Sequence, residues 1–458
     1  TITAGGNSTS NTATVTWNTV GSQTISVNYS QTNCPAASPV VYPVTVNARP
    51  APTLAGPGNL CVGTTSNVYT TEPGMTNYTW AVSAGGTITS GGTSTSNSVT
   101  VTWTTAGSKT VTVNYTNSAG CSALMATSYS LTVNPLPTPT ITGTSALCVG
   151  ATSVVYSTQA GMTNYLWTVS SGGTVTSGGG TTDNSVTVTW NTAGLQSVSV
   201  NYSNTNGCTA LSPVLYTVTV NALPVPTLSG PLTACANSTG NIYSTQPGMS
   251  NYIWTISSGG TITAGGNSTS NTATVTWNTA GSQTISVNYS QTNCPAASPV
   301  VYPVNINARP VPTLAGPGNL CVGTTSNVYT TEPGMTNYTW AVSAGGTITS
   351  GGISTSNTVT VTWTTTGSKT VTVNYTNSAG CNALTATSYS VTVNPLPVPT
   401  ITGHTSTCIG SSAVYSTESN MSDYAWIVSV GGTITSSGGA TDNSVTITWN
   451  SIGPQTVS

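Results

Sequence analysis

"NSVTVTWTTAGSKTVTVNYTNSAGC", residues 97–121, decides the fold. Val99, Val101 and Trp103 alternate with Ser98, Thr100 and Thr102. After a Gly-containing break, Val111, Val113 and Tyr115 alternate with Thr110, Thr112 and Asn114. An extended strand sends successive side chains to opposite faces, so each run has one apolar face and one polar face. Both runs are rich in the β-branched and aromatic residues that strands favour. The stretch therefore reads as two half-buried strands joined by a turn.

The same alternation extends outward over residues 48–134. "TSNVYTTE" (65–72), "NYTWAVS" (77–83), "GGTITSGG" (85–92) and "TSYSLTVN" (127–134) carry it, with Gly and Asn clusters between them. No segment shows a helical period. About seven short strands in some 87 residues predict an antiparallel β-sandwich of immunoglobulin type.

That unit recurs. Trp80, Trp167, Trp254, Trp340 and Trp426 each stand in a Tyr-x-Trp. Trp17, Trp103, Trp190, Trp277, Trp363 and Trp449 each end a strand-like run, and both series step by 86 or 87 residues. A fixed period of this kind marks a domain array. A longer period lies above it. Residues 1–19 return unaltered at 261–279, and 52–92 at 312–352, so blocks of three units have duplicated. Proline pairs such as "NARPAP" (47–52) and "NPLPTP" (134–139) separate the units as short, stiff joints. The expected domains are partial repeats at 1–47 and 395–458 and full repeats at 48–134, 135–221, 222–307 and 308–394, stacked as an extended rod. The chain opens without Met or a signal peptide, which reads as a segment of something longer.

Composition narrows the function. Of 458 residues only four are Lys or Arg and six Asp or Glu, a charged fraction of 2% against the usual quarter or so. A basic surface for nucleic acid is lacking, as is an apolar run long enough to span a bilayer. Thr supplies the solvent-facing polarity instead. Strand edges without charged guards invite lateral self-association.

The few ionisable residues do not assemble a catalytic site. Glu72 and Glu332 are replaced by Gln159 and Gln246 in sibling repeats, and Asp183 and Asp442 by Ser96 and Ser270. Acid–base catalysis needs paired titratable groups that such substitutions remove. Lys109 and Lys369 read as surface lysines, His404 as exposed, and Met75, Met162, Met249, Met335 and Met421 as packing residues. No cofactor, metal or enzymatic activity is expected. Trp80, Trp103, Trp167, Trp190, Trp254, Trp277, Trp340 and Trp363 are expected in the core.

The ten cysteines form two classes, with no C-x-x-C pair and a single His, so disulfides are favoured over zinc. Cys61, Cys148, Cys235, Cys321 and Cys408 precede the second strand. Cys34, Cys121, Cys208, Cys294 and Cys381 lie between the last two. About 11 residues, or roughly 36 Å of strand, separate the linker from the first class, which places it at the far pole of the sandwich. The second class sits at the near pole. In a head-to-tail stack these poles meet in neighbours, pairing Cys61 with Cys208, Cys148 with Cys294 and Cys235 with Cys381. Pairing within a repeat, Cys61 with Cys121, stands level with it. Consecutive pairing, Cys121 with Cys148, ranks third.

"CVGTTSNVYT", "NYTWAVSAGG", "GSKTVTVNYTNSAGC" and "TVNPLP" resemble the PKD-like and Ig-like repeats of large Bacteroidota surface proteins, gliding-motility adhesins among them. The acidic "WDFGDG" of true PKD repeats is "WAVSAGG" here. The resemblance implies an extracellular filament exported by the type IX system and held by cell-surface anchoring machinery. Its partners would be neighbouring repeats of the same chain. The competing reading is a multivalent glycan-binding, or Thr-faced ice-binding, module, which would require exposed aromatics in the glycan case.

Overall fold

A computed structural model describes residues 1–458, and every regular element in it is a β-strand. The chain divides into two compact units. One comprises residues 1–225 with 249–251 and 288–298; the other comprises 226–248, 252–287 and 299–458.

In the first unit, the 48–134 repeat has seven strands: β1 Asn59–Cys61, β2 Asn67–Thr70, β3 Thr76–Val82, β4 Gly86–Gly91, β5 Ser98–Trp103, β6 Gly107–Thr116 and β7 Thr127–Asn134. They form a three-stranded sheet, β4-β5-β2, and a four-stranded sheet, β1-β7-β6-β3. Val99, Val101 and Trp103 of one sheet and Trp80, Val111, Val113 and Tyr115 of the other bury into a common core. Their Ser and Thr alternates face outward. Gly86 is dictated by this core, because a Cβ there would lie 2.5 Å from the Trp103 ring.

One pairing is parallel, not antiparallel. β1 runs beside β7 with Thr132 opposite Asn59 and Asn134 opposite Cys61. The chain enters at the pole where the linker arrives and climbs the sandwich before turning into β2. β7 climbs the same way to leave, so the two run in one direction.

The 135–221 repeat repeats the plan, with Ala146–Cys148 parallel to Val214–Asn221. Its core centres on Tyr156, Val188, Trp190 and Val198, with Tyr165, Val200 and Tyr202 as a second cluster. Residues 1–47 contribute three strand pairs, Ile2–Gly5 with Ala13–Val15, Gly21–Val27 with Val40–Val46, and the short Ser30–Gln31 with Cys34–Pro35.

In the second unit, the 308–394 repeat matches 48–134 strand for strand, around Trp340, Val361, Trp363 and Val373. Within 222–307, Tyr243, Val275, Trp277, Ile285 and Ile306 form the core. Over 395–458 a four-stranded sheet buries Tyr415, Ile447 and Trp449.

Candidate functional site: the joints between repeats

β1 ends at Cys61 beside Asn134, the last residue of β7, so this cysteine stands where the chain departs for the linker. Asn134 fixes it there: its backbone carbonyl accepts from Val62 N (3.0 Å), and its Nδ2 donates to Leu60 O (3.0 Å). Three of the second cysteine class, Cys121, Cys208 and Cys381, are aimed by an asparagine four residues earlier; Ser30 and Ser290 stand at that place before Cys34 and Cys294. Asn204 Oδ1 accepts from Cys208 N (3.0 Å) while its Nδ2 donates to the linker carbonyl of Pro135 (3.0 Å). Asn377 does the same for Cys381 and Ala308, and Asn117 for Cys121 and Ala48. One side chain thus orients the sulfur and pins the linker. "NSAGC" and "NTNGC" held that signal, which the reading of the sequence passed over.

Three disulfides cross the joints. Cys61 is bonded to Cys208, Cys148 to Cys294 and Cys235 to Cys381, with Cα separations of 5.5, 5.5 and 5.7 Å. Cys208, Cys294 and Cys381 are buried. Cys34, Cys121, Cys321 and Cys408 are unpaired. The in-repeat partner of Cys61 and the consecutive partner of Cys148 would both have been Cys121, which makes neither bond. A spacing of 146 or 147 residues leaves each unpaired cysteine without a counterpart in the sequence.

Two arginines reinforce particular joints. Arg309, in the "NARPVP" linker, donates from Nε to Ala236 O (2.6 Å) and from its terminal nitrogen to Asn382 O (2.8 Å) and Oδ1 (3.0 Å). It therefore ties the repeat before the linker to the repeat after it. Arg49 donates to Ser122 O (2.9 Å). The residue in this place in "NPLPTP" is Leu136, and there Leu136, Pro137, Pro139, Leu211 and Leu215 line an open groove of about 530 Å³.

The linker's far end is clamped by a Glu or Gln. Glu72 accepts from Thr53 N (3.0 Å), Thr71 Oγ1 (2.8 Å), Tyr115 OH (2.7 Å) and Thr53 Oγ1. Gln159 repeats the set through Oε1, accepting from Thr140 N (3.2 Å), Thr158 Oγ1 (2.7 Å) and Tyr202 OH (2.6 Å). An acceptor is what the position requires; a charge is optional. Partial burial works against the charge on Glu72. The donors Thr53, Tyr115 and Thr71 outweigh it and hold the carboxyl at about 2, against 4.5 when free. Glu332 is held at about 2 by the same balance.

A model described as "PKD-like domain" matches residues 47–131, 134–216, 221–304, 307–391 and 394–458. The chain belongs to the PKD-like domain family. A search of curated protein sequences finds no match. Among solved structures, invasin, a bacterial integrin-binding protein, is similar at 16% identity over 79% of this chain and 82% of its own, with a TM-score of 0.27. FdeC, an Escherichia coli adhesin, gives 17% identity over 56% and 96%, with a TM-score of 0.24. Domains 1–6 of the surface-layer protein SbsC give 15% over 89% and 64%, with a TM-score of 0.21. At these identities and scores nothing is transferred from them to this chain.

In these PKD-like repeats no tryptophan is exposed. Trp80, Trp103, Trp190, Trp277, Trp340 and Trp363 are buried, whereas Trp167 and Trp254 are half-buried at the edge of the core. In each Tyr-x-Trp the indole Nε1 donates to a loop carbonyl. Trp80 reaches Ser96 O (2.9 Å), Trp167 reaches Asp183 O (2.8 Å) and Trp254 reaches Ser270 O (2.9 Å). The acceptor is main chain, which is why Asp and Ser interchange there. Lys109 departs from the surface expectation. It is buried, with Nζ donating to Ala84 O (2.9 Å) and Thr105 Oγ1 (2.7 Å). His404 and Met421 are exposed, while Met75, Met162 and Met335 pack against cores. No group of three or more His, Cys, Asp or Glu lies close enough together to hold a metal, and no helix is long and apolar enough to cross a membrane.

Proposed function

We propose that this chain is stalk: the repeated part of an extracellular adhesin that transmits tension, whose task is to hold a tip away from a cell surface. The observation that carries the reading is the set of three disulfides that each join one repeat to the next. A domain stabilised for its own sake would be bridged internally. Disulfides persist in oxidising surroundings, which supports a location outside the cytoplasm. The six-part division at 1–47, 48–134, 135–221, 222–307, 308–394 and 395–458 is then a division into mechanical segments arranged as a straight rod.

The specific form we propose is a bacterial cell-surface filament of the gliding-motility type, exported by the type IX system and anchored by surface machinery. The repeat motifs' likeness to such proteins supports it. Lateral self-association through uncharged strand edges is part of the same proposal. Glycan binding is disfavoured, because none of the eleven Trp is exposed to serve as a sugar platform.

Small-angle scattering on the oxidised chain tests the stalk. The expected result is a rod whose length grows by a constant step as whole repeats are added. Scattering from freely hinged beads would reject it.

A further inference from the structure

We infer that the three disulfides together act as a strain limiter, capping the length of the loaded chain and keeping the sandwich bodies out of the load path. This deepens the stalk reading and rests on it, since it concerns force along the chain.

The disulfides overlap. Cys61–Cys208 encloses 147 residues, and Cys148–Cys294 and Cys235–Cys381 enclose 146 each. Each bridge opens before the preceding one closes. The shortest covalent route from Cys61 to Cys381 therefore crosses to Cys208, follows 27 residues to Cys235 and crosses again. The backbone alone takes 320 residues between the same two cysteines. Fully extended, at about 3.4 Å per residue, the routes reach roughly 90 Å and roughly 1,090 Å.

The short route is bounded by its 27 residues. It includes the strands Val214–Asn221 and Thr233–Cys235, which are extended already, and the proline linker between them. The segments 62–147, 149–207, 236–293 and 295–380, which carry the core tryptophans, hang beside it. Their unfolding cannot lengthen the chain. The sulfurs of Cys208, Cys294 and Cys381 are on buried residues, where dissolved reductant reaches them poorly.

The bridges are unequal. Cys148–Cys294 is off the shortest route, so its loss leaves the limit at 27 residues. Loss of either outer bridge reroutes the load through the middle one, raising the limit to about 146 or 147 residues. The middle bridge is the reserve.

The test is single-molecule stretching of the full chain from its termini, with Cys34, Cys121, Cys321 and Cys408 changed to Ser to prevent exchange. With 60 residues before Cys61 and 77 after Cys381, the oxidised chain should stop at about 164 residues of contour, roughly 560 Å. With dithiol reductant it should reach about 457 residues, roughly 1,550 Å. Cys148→Ser with Cys294→Ser should leave the oxidised limit unchanged. Cys235→Ser with Cys381→Ser should raise it to about 284 residues, roughly 970 Å. These lengths report covalent links, and a peptide map of each oxidised variant fixes which cysteines are joined. An oxidised chain that reaches the reduced length overturns the inference. So does a middle-bridge variant that lengthens, or a peptide map linking Cys148 to Cys208. A chain that scatters as hinged beads yet keeps the 164-residue limit would refute the rigid stalk and leave the limiter standing.

Discussion

Acid should loosen some linkers and spare others, because the clamp acceptor is a carboxylate in some repeats and an amide in the rest. Glu72 and Glu332 are held at about 2 in the folded chain against 4.5 when free. A depressed carboxyl contributes stability that is present above 4.5 and is lost as pH falls through the interval from 4.5 to 2. At pH 3 the shift alone would amount to roughly 2 kcal/mol per clamp. These carboxylates stand near water, which screens them, so about 1 kcal/mol is the working figure. That is about a fivefold change in a local opening equilibrium. The amide of Thr53 donates directly to Glu72 and that of Thr313 to Glu332, so each reports its own clamp. Thr140 and Thr227 donate to Gln159 and Gln246 and serve as internal controls. Hydrogen exchange, corrected for intrinsic rates, should show Thr53 and Thr313 losing about fivefold protection between pH 7 and pH 3. Thr140 and Thr227 should not change. Glu72→Gln should abolish the pH effect at Thr53 alone. Equal loss of protection at all four threonines would refute the assignment of the clamp.

The other predictions concern packing and the joints. Trp190→Ala should cost about 3–5 kcal/mol in its repeat, since the ring is fully buried and its Nε1 donates to Tyr156 OH (3.1 Å); urea unfolding of the oxidised chain, followed by exchange at 185–190, reads this. Gly86→Ala should destabilise by about 1–3 kcal/mol, because the new methyl meets the Trp103 ring; a smaller loss in the same measurement would mean that the ring moves freely. Arg309→Ala should raise exchange around Asn382 while leaving Ser122, served by Arg49, unchanged. Asn204→Ala frees Cys208 N and Pro135 O together, so the Cys61–Cys208 bridge should be reduced faster than Cys235–Cys381 in timed alkylation.

The strands were legible because alternation is a local property. Val99, Val101 and Trp103 face inward in the sandwich as they do in the pattern. β1 was harder to read, because three residues, "NLC", are too few to show a period, and its parallel pairing depends on where the chain enters. The cysteines were half legible. Strand length alone places Cys61 and Cys121 at opposite poles, but which neighbour a pole meets is a tertiary fact. Lys109 was misjudged because a flexible side chain can fold back onto a carbonyl, and nothing in "GSKTV" announces that Ala84 O lies within its reach. The Glu/Gln position was recognised as indifferent to charge. That its oxygen is the linker clamp depends on Thr53 and Tyr115, 19 residues before it and 43 after.

The joint contacts explain how such a chain can multiply its repeats while letting their sequences drift. At the joints Asn204 grips the carbonyl of Pro135 and Arg309 those of Ala236 and Asn382; within a repeat Trp80 grips that of Ser96 and Lys109 that of Ala84. Each acceptor is main chain, and a main-chain carbonyl survives any substitution at its residue. Ala48 can become Pro135 under the same asparagine, and Ser96 can become Asp183 under the same indole, without loss of the bond. Only the donors, the paired cysteines and the Glu or Gln acceptor of the linker clamp must be kept. A duplicated block therefore arrives with its joints already functional, because the neighbour it meets need offer only backbone and a cysteine in register. An array held by side-chain ion pairs would need matched changes on both sides of every new joint, and in this chain, with 2% charged residues, the joints rely on backbone acceptors and on the oxygen of a Glu, Gln or Asn instead.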